Sequence, residues 1–486
     1  MSHEETGMRT SSLIAKGTLA TLLLALSFAP RAAAQQPAGG TAAPPAAVGQ
    51  DNSALGTPEN PPLSGLDQPS LEPGVSARNF LQPAIQVNQA VDSNIGNDLG
   101  ESAVHGVTRV LGSLLLKRLW SRYETDLAYV GGGALYTGYA RTGNVVQALE
   151  AQQRLGWRTG QLILRDMFSY LPEGQFGAAG AWGLNNVGGQ SLGSGISGIF
   201  NSGQLGSLGQ EPRITNIALA DMAQSFTPRT ALTLTAGYGL VHFTDNSAIA
   251  TQNNPSFIDS NTVSVQAAYN YQLSRRDQVA LLYAYQNYTF PDLPATLTDL
   301  TGASVRSNIV SFLYGHRISG RLNFAVGAGP LLTHIQGPLL GSSDRFTAYG
   351  HLLLQYRFTR TVLSLAYNRH NTNGSGFFLG AESDIARLSA ARPLSRRWEG
   401  TVDVGYSHSK SLISGTAIAG LNATGFDRLF AGADIRRQFG RYWTGYLNYQ
   451  FNNLMLDGAT CGGACSSQRH VALLGVEWHP RPIRLD

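Results

Sequence analysis

The chain has 486 residues, of which 14% are charged and 9% aromatic, with 56 glycines and a formal charge of +4. Beyond the N-terminus no apolar run approaches the roughly 20 residues that a spanning helix needs, which excludes a helical membrane protein. The arginines are scattered singly, which leaves no nucleic-acid footprint, and the many glycines and aromatics beside only three lysines (Lys16, Lys117 and Lys410) suit a turn-rich β protein.

Residues 1–34 read as a signal peptide. Arg9 and Lys16 give a basic start, LATLLLALSFAP is apolar but too short to span, and Ala32, Ala33 and Ala34 offer a cleavage site before Gln35. The acidic opening MSHEETG makes Met8 an alternative start. No cysteine follows the site, which argues against a lipid anchor. Residues 35–78 are rich in Pro, Ala and Gly and cannot bury enough apolar area to order themselves, so a disordered, exported leader is expected.

From residue 79 to about 480 one element recurs. An arginine beside Ser, Thr or Gly, flanked by a large apolar residue, closes eight short connections: LWSRYE, LGWRTG, SFTPRT, LSRRDQ, ISGRLN, FTRTVL, LSRRWE and FGRYWT. Most lie 36 to 47 residues apart, which leaves room for two strands and one longer loop, the beat of an up-and-down meander. The exception is the gap from Arg158 to Arg229, which must hold one long loop over residues 171–212.

Between the turns the residues alternate. In VSVQAAYNYQ, Val263, Val265, Ala267, Tyr269 and Tyr271 share one face, and Ser264, Gln266, Asn270 and Gln272 the other. WTGYLNYQF divides likewise, as does the strand from Trp398 to Ser407. A soluble sandwich would have strands of about half this length and a charged outer face. Here the polar face is mostly Thr, Ser, Gln and Asn, as in a barrel whose apolar face meets lipid. Trp120, Trp157, Trp398, Trp443 and Trp478, five of the six tryptophans, fall in or near the short turns or at the end of the last strand, where an interfacial aromatic belt would sit. The expected fold is an all-β transmembrane antiparallel up-and-down barrel of about 18 strands, with 16 to 20 allowed by a miscounted hairpin, short periplasmic turns and longer extracellular loops. It opens on a strand from about Leu81 to Ser93 and closes on one from about Arg469 to Trp478.

These features together resemble a Gram-negative outer-membrane β-barrel of the porin-like kind, with no motif that names a subfamily. The resemblance implies a cell outer membrane location, contact with outer-membrane lipids and lipopolysaccharide, insertion by the barrel-assembly machinery, and passage of small solutes; an oligomer is left open. It also implies that the third outer loop, residues 171–212, folds inward as a constriction. That loop carries no charge between Glu173 and Glu211, so Phe176, Trp182 and Phe200 would meet sugars or apolar solutes; a surface loop with no selectivity role is the alternative. Such barrels commonly finish on an aromatic residue, whereas here residues 481–486 form a tail, and Trp478 would serve from an internal position.

On the polar faces Asp126, His351, Arg357, Glu399, Asp403, Asp434 and Arg436 are candidate pore residues, either as a transverse field that sorts solutes or as pairs that satisfy one another; a one-residue slip would turn each outward. Cys461 and Cys465, the only cysteines, are expected to pair in the last outer loop. No metal or cofactor pattern is read. Gly193 to Gly198 fits GxGxxG without the flanking strand and helix that the motif needs. Tyr406 to Ser409 and Asn368 to His370 are the only places for catalysis, and neither carries a nucleophile pattern, so no enzyme is expected. Two functions remain: a passive channel for small polar solutes, with sugars as a candidate cargo, or a closed or plugged barrel with a structural, surface or exopolysaccharide-associated role.

Overall fold

A computed structural model describes residues 79–95, 103–138, 145–171, 213–243, 258–291, 302–337, 341–376, 378–413, 423–458 and 465–485. Eighteen long strands and one short one follow in order. The first nine are β1 (Phe80–Asp92), β2 (His105–Leu119), β3 (Tyr123–Thr137), β4 (Val145–Trp157), β5 (Gly160–Leu171), β6 (Arg213–Thr227), β7 (Thr230–Phe243), β8 (Ser260–Gln272) and β9 (Asp277–Thr289). The rest are β10 (Ser304–Arg317), β11 (Leu322–Gly337), β12 (Gly341–Arg357), β13 (Val362–Thr372), β14 (Ala381–Pro393), β15 (Trp398–Ser411), β16 (Gly425–Phe439), β17 (Trp443–Asp457), β18 (Ser466–Trp478) and the two-residue β19 (Ile483–Arg484). Each long strand pairs antiparallel with its neighbours in sequence, and β18 pairs with β1 from Ile85↔Trp478 to Asp92↔Val471, which closes the sheet. The expected strand count and all eight short turns are present.

In three of the turns a serine hydroxyl holds the reversal. At Leu273 to Asp277 the Ser274 hydroxyl accepts the backbone N–H groups of Arg276 and Asp277, each at 3.0 Å. Ser319 does the same for Arg321 at 3.2 Å and Leu322 at 3.1 Å, and Ser395 for Arg397 at 3.3 Å. A hydroxyl that bonds to the backbone two and three residues on fixes a tight reversal locally, while the arginine stays exposed.

The alternation sorts the two faces as the sequence implies. On β8, Val263 and Tyr269 are 41% and 49% exposed, whereas Ser264 and Asn270 are 1% and 2%. Large apolar side chains stand exposed outward on strand after strand, including Val87, Leu135, Leu234, Leu281, Phe312, Leu332, Val402 and Leu474. A closed sheet with an apolar outside and a polar inside is a membrane-spanning barrel. The five tryptophans named above are all exposed at the turn end, where Arg118 lies over Trp120 (4.7 Å) and Arg437 over Trp398 (5.0 Å). The tail does not simply trail: β19 returns to pair with the start of β1, Phe80↔Arg484 and Leu81↔Ile483.

The seam between β12 and β13 is short even though both strands continue beyond it. β11 and β12 pair along their full length to Gly337↔Gly341, but β12 and β13 pair only from Arg357↔Val362 to Gly350↔Arg369.

Candidate functional site in the barrel lumen

The inner wall changes character from end to end. At the turn end it is charged and half-buried: Lys117 Nζ lies 2.9 Å from Glu124 and 3.7 Å from Asp126, and Arg154 lies 3.4 Å from Glu124. On the neighbouring arc Arg436 donates to Asp434 at 2.9 Å, Glu399 stands opposite Arg436 in the ladder, and Arg387 donates to Asp403 at 2.7 Å. His351 Nδ1 is 2.7 Å from Asn368 Oδ1, and Arg357 donates to Gln355 at 3.4 Å. All seven pore candidates named from sequence thus face inward. The acids sit beside bases on the same or adjoining strands, so the geometry is one of local pairing along the wall.

The loop end is different, and its main feature escaped the sequence reading. Four arginines are buried there on inner positions: Arg109 on β2, Arg213 on β6, Arg428 on β16 and Arg469 on β18. Arg469 forms a forked ion pair with Asp92, its Nε donating to Oδ1 at 2.9 Å and Oδ2 at 3.0 Å. Arg109 donates to Asn88 at 3.3 Å and Arg428 to Asn452 at 3.0 Å. Arg213, from the far side of the ring, is close enough to Arg428 that the two repel, as do Arg428 and Arg469. The available signal was parity: each arginine falls on the same face as the Ser, Asn and Gln that line the lumen.

Across this end runs the loop that joins β13 to β14. Asn371 donates to Ser307 of β10 at 2.8 Å and to Thr333 of β11 at 2.6 Å, while Tyr288 of β9 donates to the Asn371 carbonyl at 3.0 Å. Asn373 then reaches Ser260 of β8 at 2.9 Å, and the Gly376 carbonyl accepts from the Ile258 N–H at 2.9 Å. Gly374, Gly376 and Gly380 take positive φ of 77°, 83° and 85°, the left-handed backbone that lets so short a loop reverse inside the ring. Phe378 stacks on Phe426 of β16 with ring centres 6.0 Å apart, in an apolar cluster that also holds Phe243 of β7 and Leu454 and Leu456 of β17. Leu379 joins a second cluster with Ile258, Phe290, Ile335 and Leu412. Opposite walls therefore meet at the loop end through apolar side chains.

The constriction expected from residues 171–212, with Phe176, Trp182 and Phe200, lies outside the described residues, as do the GxGxxG stretch and Cys461. Cys465 is disulfide-bonded. Of the places considered for catalysis, Tyr406 and His408 face outward and both contact Asp427, at 2.6 Å and 2.7 Å, whereas Ser407 and Ser409 are buried on the inner face. Neither of these two serines shares a face with that histidine. Arg369 is likewise held by Glu382 and Asp384, at 2.5 Å and 3.4 Å. His408, Asp427 and Asp457 bring potential ligand atoms within 4.8 Å of one another, on the outer wall and away from the lumen.

No protein-family model matches the chain, and no curated protein does. Among solved structures it is similar to the FrpB iron transporter of Neisseria meningitidis (F5-1 variant), at 8% identity over 83% of each chain with a TM-score of 0.40. It is also similar to OccAB3 of Acinetobacter baumannii, at 12% identity over 82% of this chain and 99% of that one with a TM-score of 0.40. A third is OpdK of Pseudomonas aeruginosa with vanillate, at 12% identity over 82% and 98% with a TM-score of 0.38. Likeness of this degree carries no weight on what the chain does, and the barrel rests on its own strand pairing.

Proposed function

We propose that the chain is an outer-membrane, porin-like channel that lets small polar solutes cross by passive diffusion. The observation that carries the reading is the closed barrel of eighteen long strands with an apolar outside and a charged, hydrogen-bonding inside. A ring of this size is too wide for wall side chains alone to fill. The export signal expected in residues 1–34 supports the same location, with the turn end and both chain ends in the periplasm and lipopolysaccharide around the loop end. Insertion by the barrel-assembly machinery would then read Trp478, the last residue of β18. Arginines at the loop end favour anionic solutes at the entrance. Narrowing by residues 171–212, and sugar contacts through Phe176, Trp182 and Phe200, belong to the proposal on the strength of that loop's length and composition.

A second reading, a closed barrel with a structural or surface role, is favoured by the Phe378 cluster that ties β7 to β16 and β17. Single-channel conductance of the refolded protein in a planar bilayer separates the two, with and without residues 174–210. Open steps that grow on deletion support the channel and its constriction; steps of unchanged size keep the channel and remove the constriction. A protein silent in both forms moves the weight to the closed barrel.

A further inference from the structure

The barrel wall is cut at its loop end, between β12 and β13. Beyond Gly350 the side of β12 that faces β13 has no strand partner among the described residues, although β11 still pairs with its other side. Residues Ser342 to Phe346 are exposed on both faces, Phe346 at 73%. Such an edge presents backbone N–H and C=O groups that a neighbouring strand would satisfy. The chain that a continuous wall would put there is turned into the lumen, where it holds Asn371 against Ser307 and Thr333.

The ladder shows what fits the free edge. Continued without a shift, it sets Tyr349 opposite His370, Ala348 opposite Asn371 and Thr347 opposite Thr372. β13 would keep its pairing with β14, which already runs to Thr372↔Ala381. The end of β13 therefore has two homes: the inner wall of β8 to β11, held by uncharged hydrogen bonds and apolar contacts, and the vacant edge of β12, where backbone bonds would replace them. The first home ties the loop across the mouth. The second completes the wall and withdraws the loop from it.

We propose that the end of β13, with the loop it carries, is a gate over the loop end of the lumen, closed when tucked under β10 and β11 and open when paired with β12. This deepens the channel reading, on which only the conductance half of the test depends.

Two double-cysteine variants of the full chain separate the states, both carrying Cys461→Ser and Cys465→Ser so that reduction acts on the engineered bond alone. Ser307→Cys/Asn371→Cys would cross-link the tucked state. Thr347→Cys/Thr372→Cys would cross-link the extended one, since directly paired antiparallel residues come within reach of a disulfide. Each is reconstituted in vesicles, oxidised, and read by mass spectrometry after digestion. The gate requires both cross-links to form. It also requires the first to lower single-channel conductance several-fold until dithiothreitol restores it. A quantitative first cross-link with no trace of the second overturns the gate, because β13 then never leaves the lumen. Equal conductance before and after reduction of the first overturns it as well. If both cross-links form in a barrel that never conducts, the movement stands and the channel reading falls.

Discussion

Asp92 and Arg469 form an ion pair with neither side chain exposed, on the two strands whose pairing closes the ring. Burial makes such a pair costly to break, because removing one partner leaves the other charge without its counterion in a place water cannot repair. Asp92→Asn is expected to destabilise the barrel by about 3–5 kcal/mol, against a change within about 0.5 kcal/mol for an exposed rim residue such as Arg275→Gln. Urea midpoints in detergent or lipid, read by tryptophan fluorescence, check it. A midpoint for Asp92→Asn equal to wild type would mean that other groups carry Arg469. The sequence discloses the seam but not the pair, since a closed barrel must join its opening strand to its closing one. Asp92 falls on the opening strand and Arg469 on the closing one, but nothing in either stretch fixes the register that brings these two side chains together across 377 residues of sequence.

At the scale of elements, what the sequence discloses is what the strand period encodes. Ser274, Ser319 and Ser395 mark turns because their hydroxyls act within three residues, so the signal is wholly local. Val263 to Tyr271 read correctly because lipid demands apolar side chains on every second residue. By contrast NTNGSGFFLG, from Asn371 to Gly380, reads as an ordinary outer loop, and its inward turn depends on partners in β8, β10, β11 and β16 that no local pattern announces. The buried arginines were missed for a related reason. Parity gives the face, but not whether that face is wet. A paired experiment tests parity itself at mid-strand. Val265→Arg, on the outward face of β8, is expected to cost about 2–4 kcal/mol of barrel stability, as a charge facing the bilayer midplane does. Its neighbour Gln266→Arg faces the lumen, and the cost there should be smaller, with a change in conductance instead. Comparable losses in both variants would mean that the lumen at that depth is as dry as the lipid face.

For the whole molecule, the charges add up to an axial asymmetry. Among the described residues the turn end sets Lys117, Arg154 and Arg436 against Glu124, Asp126, Glu399 and Asp434, one acid in excess, each within reach of an opposite charge. At the loop end the buried Arg109, Arg213, Arg428 and Arg469 outnumber the buried acids Asp92 and Asp259. A solute entering from the loop end would therefore meet net positive potential first, and a wall of closely paired charges with no positive excess afterwards. Charges at a constriction act more strongly than charges on a wide wall, because little water separates them from the passing ion. Anion preference should thus reside at the loop end and be insensitive to the turn end. In a salt gradient near 0.1 M, where screening extends over about 10 Å, the reversal potential is expected to show anion selectivity. Arg213→Gln and Arg428→Gln should each move it toward zero, and together further than either alone, since the two residues approach each other across the ring. Lys117→Gln, in the paired network of the turn end, should leave it nearly unchanged. A reversal potential that follows Lys117 and ignores the arginines would put the selective step at the turn end, and the tight apolar mouth would then serve only to open and close.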